Sequence, residues 1–185
     1  MIRLSKGSIE CGANVKIAPT VIFLRGDNMG GEVAKVRIGS GSIIRDGTII
    51  YEGVTLGQNV IIDHNCIVRE FCVIADNTRL MNNSELGREI KIGENSRISG
   101  FLANRSLVGN NTSMFGSLLH TNKKHGGGLI ETSPRIGSNV MIGKQSLIIG
   151  AVEVKDGMKI RAGSIVTEKT IVLDPYFLER FFKRV

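Results

Sequence analysis

Two of the three histidines, His120 and His125, stand five residues apart in the stretch GSLLHTNKKHGGGLIETSP, residues 116–134. The third, His64, stands in DHNC. An imidazole changes charge near neutral pH, so each is a candidate general base for a hydroxyl or amine that attacks a carbonyl. His120 is the first candidate and His64 the second; His125 lies deep in the stretch beside three glycines and is the least constrained. Asn122 and Lys123 are candidate substrate contacts, since Lys123 and its neighbour Lys124 suit a phosphate. Gly126, Gly127 and Gly128 allow close backbone approach or a hinge. Zinc would need three well-placed ligands, and Cys11, Cys66 and Cys72 have no metal-ligand spacing, so no metal is expected.

The elements that must hold these groups are read from a repeat of six. Aliphatic residues recur at Ile38, Ile44, Ile50, Leu56, Ile62, Val68, Ile74, Leu80, Leu86, Ile92 and Ile98, and again at Ile136, Ile142, Ile148, Val154, Ile160, Val166 and Val172. Four positions after each of the first ten comes a residue that is mostly small or β-branched, from Ser42 and Thr48 to Ser96. Six is not a helical period. It predicts one short strand and a turn per hexad, three such sides closing a triangular coil and the coils stacking with parallel strands. The inward aliphatics then form columns, and each fully buried Val, Leu or Ile contributes about 1.5–3 kcal/mol. No coil can bury its surface alone, so stacking creates the core. IGSGSI, LGQNVI and IGENSR supply the Gly and Asn that corners require. The fold class is therefore all-β, a parallel β-helix.

The period breaks three times. Between Val21 and Ile38 lies GDNMGGE, a polar Gly-rich turn at which the register slips by one residue. After Ile98 the next fit is Leu102, followed by Val108 and Met114. The third break is the histidine stretch: position 120 should be aliphatic, and Ile136 is the next residue to restore the repeat. A long interruption in a compact solenoid is usually functional.

Composition narrows the class. With 42% hydrophobic residues the chain is not disordered, and 185 residues suit one domain. No apolar run is long enough for a membrane span, the start MIRLSKGSIECG lacks a secretory signal, and three cysteines form no disulfide framework, so a soluble, cytoplasmic protein is expected. The net charge of +7 suits an anionic ligand. Without a long basic run or aromatics for stacking, neither nucleic acid nor a membrane is expected as partner. Cys66 and Cys72 fall in successive small-residue slots and read as core filler.

The hexads closely resemble those of the hexapeptide-repeat, left-handed parallel β-helix acyltransferases, over roughly residues 9–172. The resemblance implies acetyl-CoA or a longer acyl thioester as donor and a homotrimer with active sites between neighbouring helices. Two segments resemble members that act on sugars. DHNCIVREFCVIADNT (63–78) looks like the segment GHN-x-x-I-R-E-x-x-x-I-G-D-N of acyltransferases for nucleotide-linked sugars. Residues 106–170 are similar to the acetyltransferase domain of amino-sugar-phosphate uridylyltransferases, whose coils are interrupted at the matching place. Gly116, Lys144 and Ala162 match that family's CoA-contacting positions, and Lys155, Arg161 and Lys169 could face the CoA phosphates. The family's catalytic His falls at Phe101, which cannot be a base, and its acceptor-contacting Tyr falls at Asn104, carried here as a substrate contact. The implied activity is acetyl transfer from acetyl-CoA to an amine or hydroxyl of a phosphorylated or nucleotide-linked sugar. The alternatives are a non-catalytic scaffold, favoured by Phe101, or a γ-type carbonic anhydrase, whose zinc-binding histidines include a pair spaced like His120 and His125.

The β-helix domain is read as 1–172, with loops at about 25–36 and 120–135. The tail DPYFLERFFKRV reads as a short helix in 173–185, with Asp174 as N-cap, Pro175 at the first position and an apolar stripe of Phe177, Leu178, Phe181 and Phe182 that caps the solenoid or packs on a neighbouring subunit.

Overall fold

The computed structural model describes residues 3–26, 32–125 and 128–168. In it, short strands stack into three eight-stranded parallel sheets, the faces of a left-handed β-helix of eight coils. The first face runs from Ile9–Cys11 to Glu153–Val154, the second from Lys16–Ile17 to Lys159–Ile160, and the third from Ile22–Leu24 to Ile165–Thr167. We number each corner after the face it follows.

The columns are those of the sequence repeat. On the second face Ile44 pairs with Ile62, Ile62 with Leu80, Leu80 with Ile98, Ile98 with Met114 and Met114 with Ile142, all with side chains at most 1% exposed. Corner residues adopt positive φ, and most of those that are not glycine are asparagine, among them Asn59, Asn65, Asn77 and Asn83. Asn tolerates this region through local hydrogen bonding. Glu89, Arg105, Gln145 and Phe71 are the exceptions, Phe71 an aromatic at φ 59° and 52% exposed.

The small-residue slots do more than fill space. Ser42 Oγ donates to the Gly57 carbonyl at 3.0 Å and accepts from Val60 N–H at 3.0 Å. Thr78 Oγ1 donates to the Gly93 carbonyl at 2.8 Å and accepts from Ser96 N–H at 3.1 Å. Each buried hydroxyl thus ties one coil to the next, which offsets the cost of its burial. Cys66 and Cys72 use the same slot: the Cys72 thiol donates to the Gly87 carbonyl, with Sγ 2.9 Å from the oxygen. Burial pushes the Cys66 thiol up to about 11 and that of Cys72 up to about 12.

Two register expectations are corrected. Phe23, not Val21, is the column residue of the first coil, since Phe23 pairs with Ile50; Val21 sits in a small-residue slot and no one-residue slip occurs. Likewise position 120 is not a column position. Leu118 pairs with Leu102 and is fully buried, because the corner at Phe115–Gly116 is shortened like the one at Ser99–Gly100 directly before it in the stack. The carbonyl of Gly116 lies 2.1 Å from where a Gly100 Cβ would stand, and Gly100 has φ 125°. A glycine is therefore required where two shortened corners stack.

Both insertions leave the solenoid at corner 3. The first follows Leu24, and its described ends are anchored by Glu52, whose buried carboxylate accepts from Gly26 N–H at 2.8 Å and Ala34 N–H at 3.0 Å. The second is an antiparallel hairpin, Thr121–His125 with Gly128–Thr132, inserted between the sixth and seventh coils. The tail helix expected over 173–185, Val172 and Lys169 lie outside the described residues.

Candidate active site

Corner 3 stacks its residues in register. Leu86 pairs with Leu102 and Leu102 with Leu118, so Arg88, Asn104 and His120, each two residues further on, follow one another along the corner at the roughly 4.8 Å spacing of neighbouring strands. The sixth coil leaves its last strand at Leu119, and His120 is the first residue beyond it. The hairpin then folds back: Thr121 pairs with Thr132 and Asn122 with Glu131. Their hydroxyls lock the base of the hairpin, Thr121 Oγ1 lying 2.9 Å from Thr132 Oγ1.

The fold-back brings a carboxylate to His120. Nδ1 of His120 is 3.3 Å from Oε1 of Glu131, whose side chain is 20% exposed against 37% for His120. An ionised carboxylate can only accept, so it favours the tautomer with hydrogen on Nδ1 and leaves the lone pair on Nε2. Glu131 is held from the solenoid side. Asn104 Nδ2 donates to Oε1 at 3.1 Å and to Oε2 at 3.5 Å, and Arg105 Nη1 is 3.7 Å from Oε2. Ser133 Oγ donates to the Asn104 carbonyl at 2.5 Å and fixes the returning strand. This is a base–carboxylate pair on a rigid corner, suited to taking a proton from an attacking hydroxyl or amine.

The other site residues separate into groups. His64 is exposed at corner 2 of the third coil, on a different edge from His120 and three coils away, roughly 14 Å along the axis alone. The two cannot serve one centre within a chain. Lys144 and Ala162 do come together, as a ladder along corner 2 of the last two coils, whereas Gly116, at the shortened corner of the sixth coil, abuts Ser146 and leaves the position before Lys144 to Phe115. Gln145 N–H donates to the Phe115 carbonyl at 3.0 Å, Gly163 N–H donates to the Lys144 carbonyl at 2.9 Å, and Ala162 N lies 2.3 Å from where a Gly143 Cβ would stand. Lys144 and Ala162 are exposed. Gly116 and His120 flank one strand of the third face, so roughly 13 Å of extended chain separates the ladder from the base. Asn122 is exposed on the hairpin. Lys123 and His125 are placed by their backbones alone, opposite Ile130 and Gly128. Asn104, taken from the sequence as a substrate contact, instead spends its amide on Glu131. Phe101 is half-buried on the outer side of the third face.

Glu131 was not found by reading the sequence, because its partner stands across a hairpin. A signal was present: Gly-Gly in the sequence is a cue for a two-residue hairpin connection, and pairing the flanking stretches sets Glu131 opposite Asn122, near His120.

No family model and no curated protein matches the sequence. Solved structures do. The UDP-N-acetylglucosamine O-acyltransferase (LpxA) from Moraxella catarrhalis RH4 is 16% identical with a TM-score of 0.59, over 86% of this chain and 65% of that one. The acetyltransferase domain of PglB from Neisseria gonorrhoeae FA1090 is 18% identical with a TM-score of 0.49, over 80% of this chain and 54% of that one. The same domain in complex with acetyl coenzyme A is 16% identical with a TM-score of 0.39, over 85% and 56%. The chain thus spans between half and two thirds of the length of these structures. The likeness to the Moraxella protein establishes the left-handed β-helix fold.

Proposed function

We propose that the protein is an acyltransferase that moves an acetyl group from acetyl-CoA to an amine or hydroxyl of a phosphorylated or nucleotide-linked sugar. The observation that carries this reading is the pairing of His120 with Glu131 at the mouth of the hairpin, on a corner of this fold. The resemblance of residues 63–78 and 106–170 to sugar acyltransferases supports it, as does a fold shared with an acyltransferase of UDP-N-acetylglucosamine.

The corner 2 ladder fits the donor. Ala162 leaves little side-chain bulk along it, Gly116 lies beside it at the shortened corner, and Lys144 has no partner among the described residues and is available to an anion. Acetyl-CoA, when bound, supplies an activated thioester carbonyl. His120 Nε2 takes the proton of the acceptor O–H or N–H as the new C–O or C–N bond forms. It returns that proton to the sulfur as the C–S bond breaks. Glu131 stabilises the imidazolium between the two steps, and the hairpin, with Asn122 and Lys123 on it, bounds the acceptor side.

A homotrimer completes the reading. Ile49, Ile67, Phe101, Leu147 and Ile149, half-buried, and Ile165, 62% exposed, make most of the outer side of the third face apolar, with Glu85 and Ser117 the polar residues in the same row. A neighbour packed on that face would bring one subunit's donor ladder beside another's hairpin. Among the described residues no helix is long and apolar enough to cross a membrane. The reading places the protein in a reducing cytoplasm, in accord with the free thiols of Cys11, Cys66 and Cys72.

Separation of His64 from His120 by an edge and three coils counts against a shared zinc, and hence against the anhydrase. Incubating the protein with acetyl-CoA and a panel of amino-sugars, sugar phosphates and nucleotide-linked sugars tests the proposal. It predicts free CoA thiol and an acetylated sugar by mass spectrometry. Absence of acetylated product with every acceptor, despite bound acetyl-CoA, would contradict it.

A further inference from the structure

At several corners of the solenoid the first residue caps the coil before it. Asp76 Oδ1 accepts from Gln58 N–H at 2.8 Å, and Asp156 Oδ1 from Ser138 N–H at 2.8 Å. Ser40 Oγ accepts from Ala13 N–H at 3.1 Å and Ser138 Oγ from Asn110 N–H at 3.1 Å. The duty needs only an acceptor oxygen, which Asp and Ser supply as well as Asn. Asn104 performs it too, its Oδ1 accepting from Arg88 N–H at 2.9 Å.

Asn104 has a second, separable feature. With Oδ1 fixed on Arg88, the amide cannot flip, and its NH2 group is turned onto the hairpin, where it reaches both oxygens of Glu131. Arg105 approaches the same carboxylate from a 60% exposed position and is shared with Glu89 at 3.5 Å. Glu131 therefore has two calls on it: toward His120, and outward to a solvated cation. The neutral donor on Asn104 decides between them without adding charge.

We propose that Asn104 is a positioning residue whose side-chain amide holds the Glu131 carboxylate against Nδ1 of His120, leaving Nε2 as the proton acceptor. Its kinetic consequence rests on the acyltransferase reading; its structural consequence does not. Glu131 is delivered by a hairpin that projects from the solenoid, so its orientation is not fixed by the coil ladder. Asn104, in that ladder, transfers the rigidity of the corner to the pair.

The discriminating substitutions are Asn104→Asp and Asn104→Ser in the full chain. Both keep a corner acceptor, as Asp76, Asp156, Ser40 and Ser138 do, and neither offers Glu131 an amide N–H. Nitrogen-15 NMR of the neutral imidazoles reads the tautomer, with His120→Gln assigning the signals. The wild-type protein is expected to hold His120 with hydrogen on Nδ1. Both variants are expected to shift it toward the tautomer with hydrogen on Nε2. In the transfer assay kcat should fall by about tenfold or more, part of the roughly 10²–10⁴ contributed by a positioned base, with KM for acetyl-CoA unchanged. A wild-type His120 carrying its hydrogen on Nε2, or a folded variant keeping the wild-type tautomer and kcat, would overturn the proposal. Loss of the Nδ1 tautomer in both variants of a protein that acetylates no sugar would uphold the positioning role while overturning the acyltransferase reading.

Discussion

Nδ1 of His120 and Oε1 of Glu131 lie 3.3 Å apart although ten residues stand between them in the chain, because the hairpin returns Glu131 to the corner that His120 has just left. Sequence neighbours do not make the pair; the insertion does. Removing either member should disable proton transfer without disturbing the core, since neither belongs to the buried columns. His120→Ala is expected to lower kcat by about 10²–10⁴, and Glu131→Ala by less, both with unaltered circular dichroism and KM for acetyl-CoA. His64→Ala, on another edge of the solenoid, should leave kcat within about twofold of wild type on the same reasoning. Steady-state kinetics of the three variants reads this directly.

The buried thiols give an alkaline limit to stability. Burial raises the Cys66 and Cys72 thiols from 9.0 to about 11 and about 12. The folded state thus holds their protons more tightly than the unfolded state. Their contribution is whole below pH 9.0 and is lost as pH rises toward 11 and 12. Urea midpoints should therefore fall between neutral pH and pH 11, and less steeply in a Cys66→Ala, Cys72→Ala variant. At mildly alkaline pH a thiol reagent should label Cys11, which is exposed, and reach Cys66 and Cys72 only on unfolding.

Phe71 occupies a corner position with φ 59° where Asn serves at Asn59, Asn65 and Asn77. The left-handed region costs an ordinary side chain about 1–2 kcal/mol. Phe71→Asn should thus stabilise the protein by about 1 kcal/mol, raising Tm by about 2–4 °C for a chain of this size. Calorimetric melting of the variant checks it.

Column residues should behave as core residues of one cooperative unit. Leu102, fully buried between Leu86 and Leu118, is expected to cost about 2–5 kcal/mol as Leu102→Ala. Ser113→Ala, on the outer side of the second face, should stay within about 0.5 kcal/mol. Urea unfolding of both distinguishes them.

The columns were legible because an inward aliphatic every six residues has one geometric solution, and Ile38 through Ile98 keep the period without a gap. Corner residues were legible for a similar reason: few side chains tolerate positive φ. The period misled at position 120. A second shortened corner, at Phe115–Gly116, moves the column residue to Leu118, and a fixed step of six steps past it. Phe23 was missed because the insertion after Leu24 makes the step to Ile38 no multiple of six, although Ile17, six residues before Phe23, keeps the period. Of the candidate site, His120 was visible as a residue type at a break in the repeat. Glu131 and the bracing role of Asn104 were not, because they arise from contacts between coil and hairpin that no period encodes.

An acyl-CoA site on this solenoid is open to titration of the wild-type protein with acetyl-CoA, followed by calorimetry and thermal shift. Saturable binding that raises Tm by several degrees is expected, since ligand at about 100 times its Kd stabilises the folded state by about 2.7 kcal/mol. Lys144→Glu should weaken that binding. A folded protein that shows neither heat of binding nor a shift in Tm at millimolar acetyl-CoA, at about a hundredfold above any useful Kd, would contradict the account.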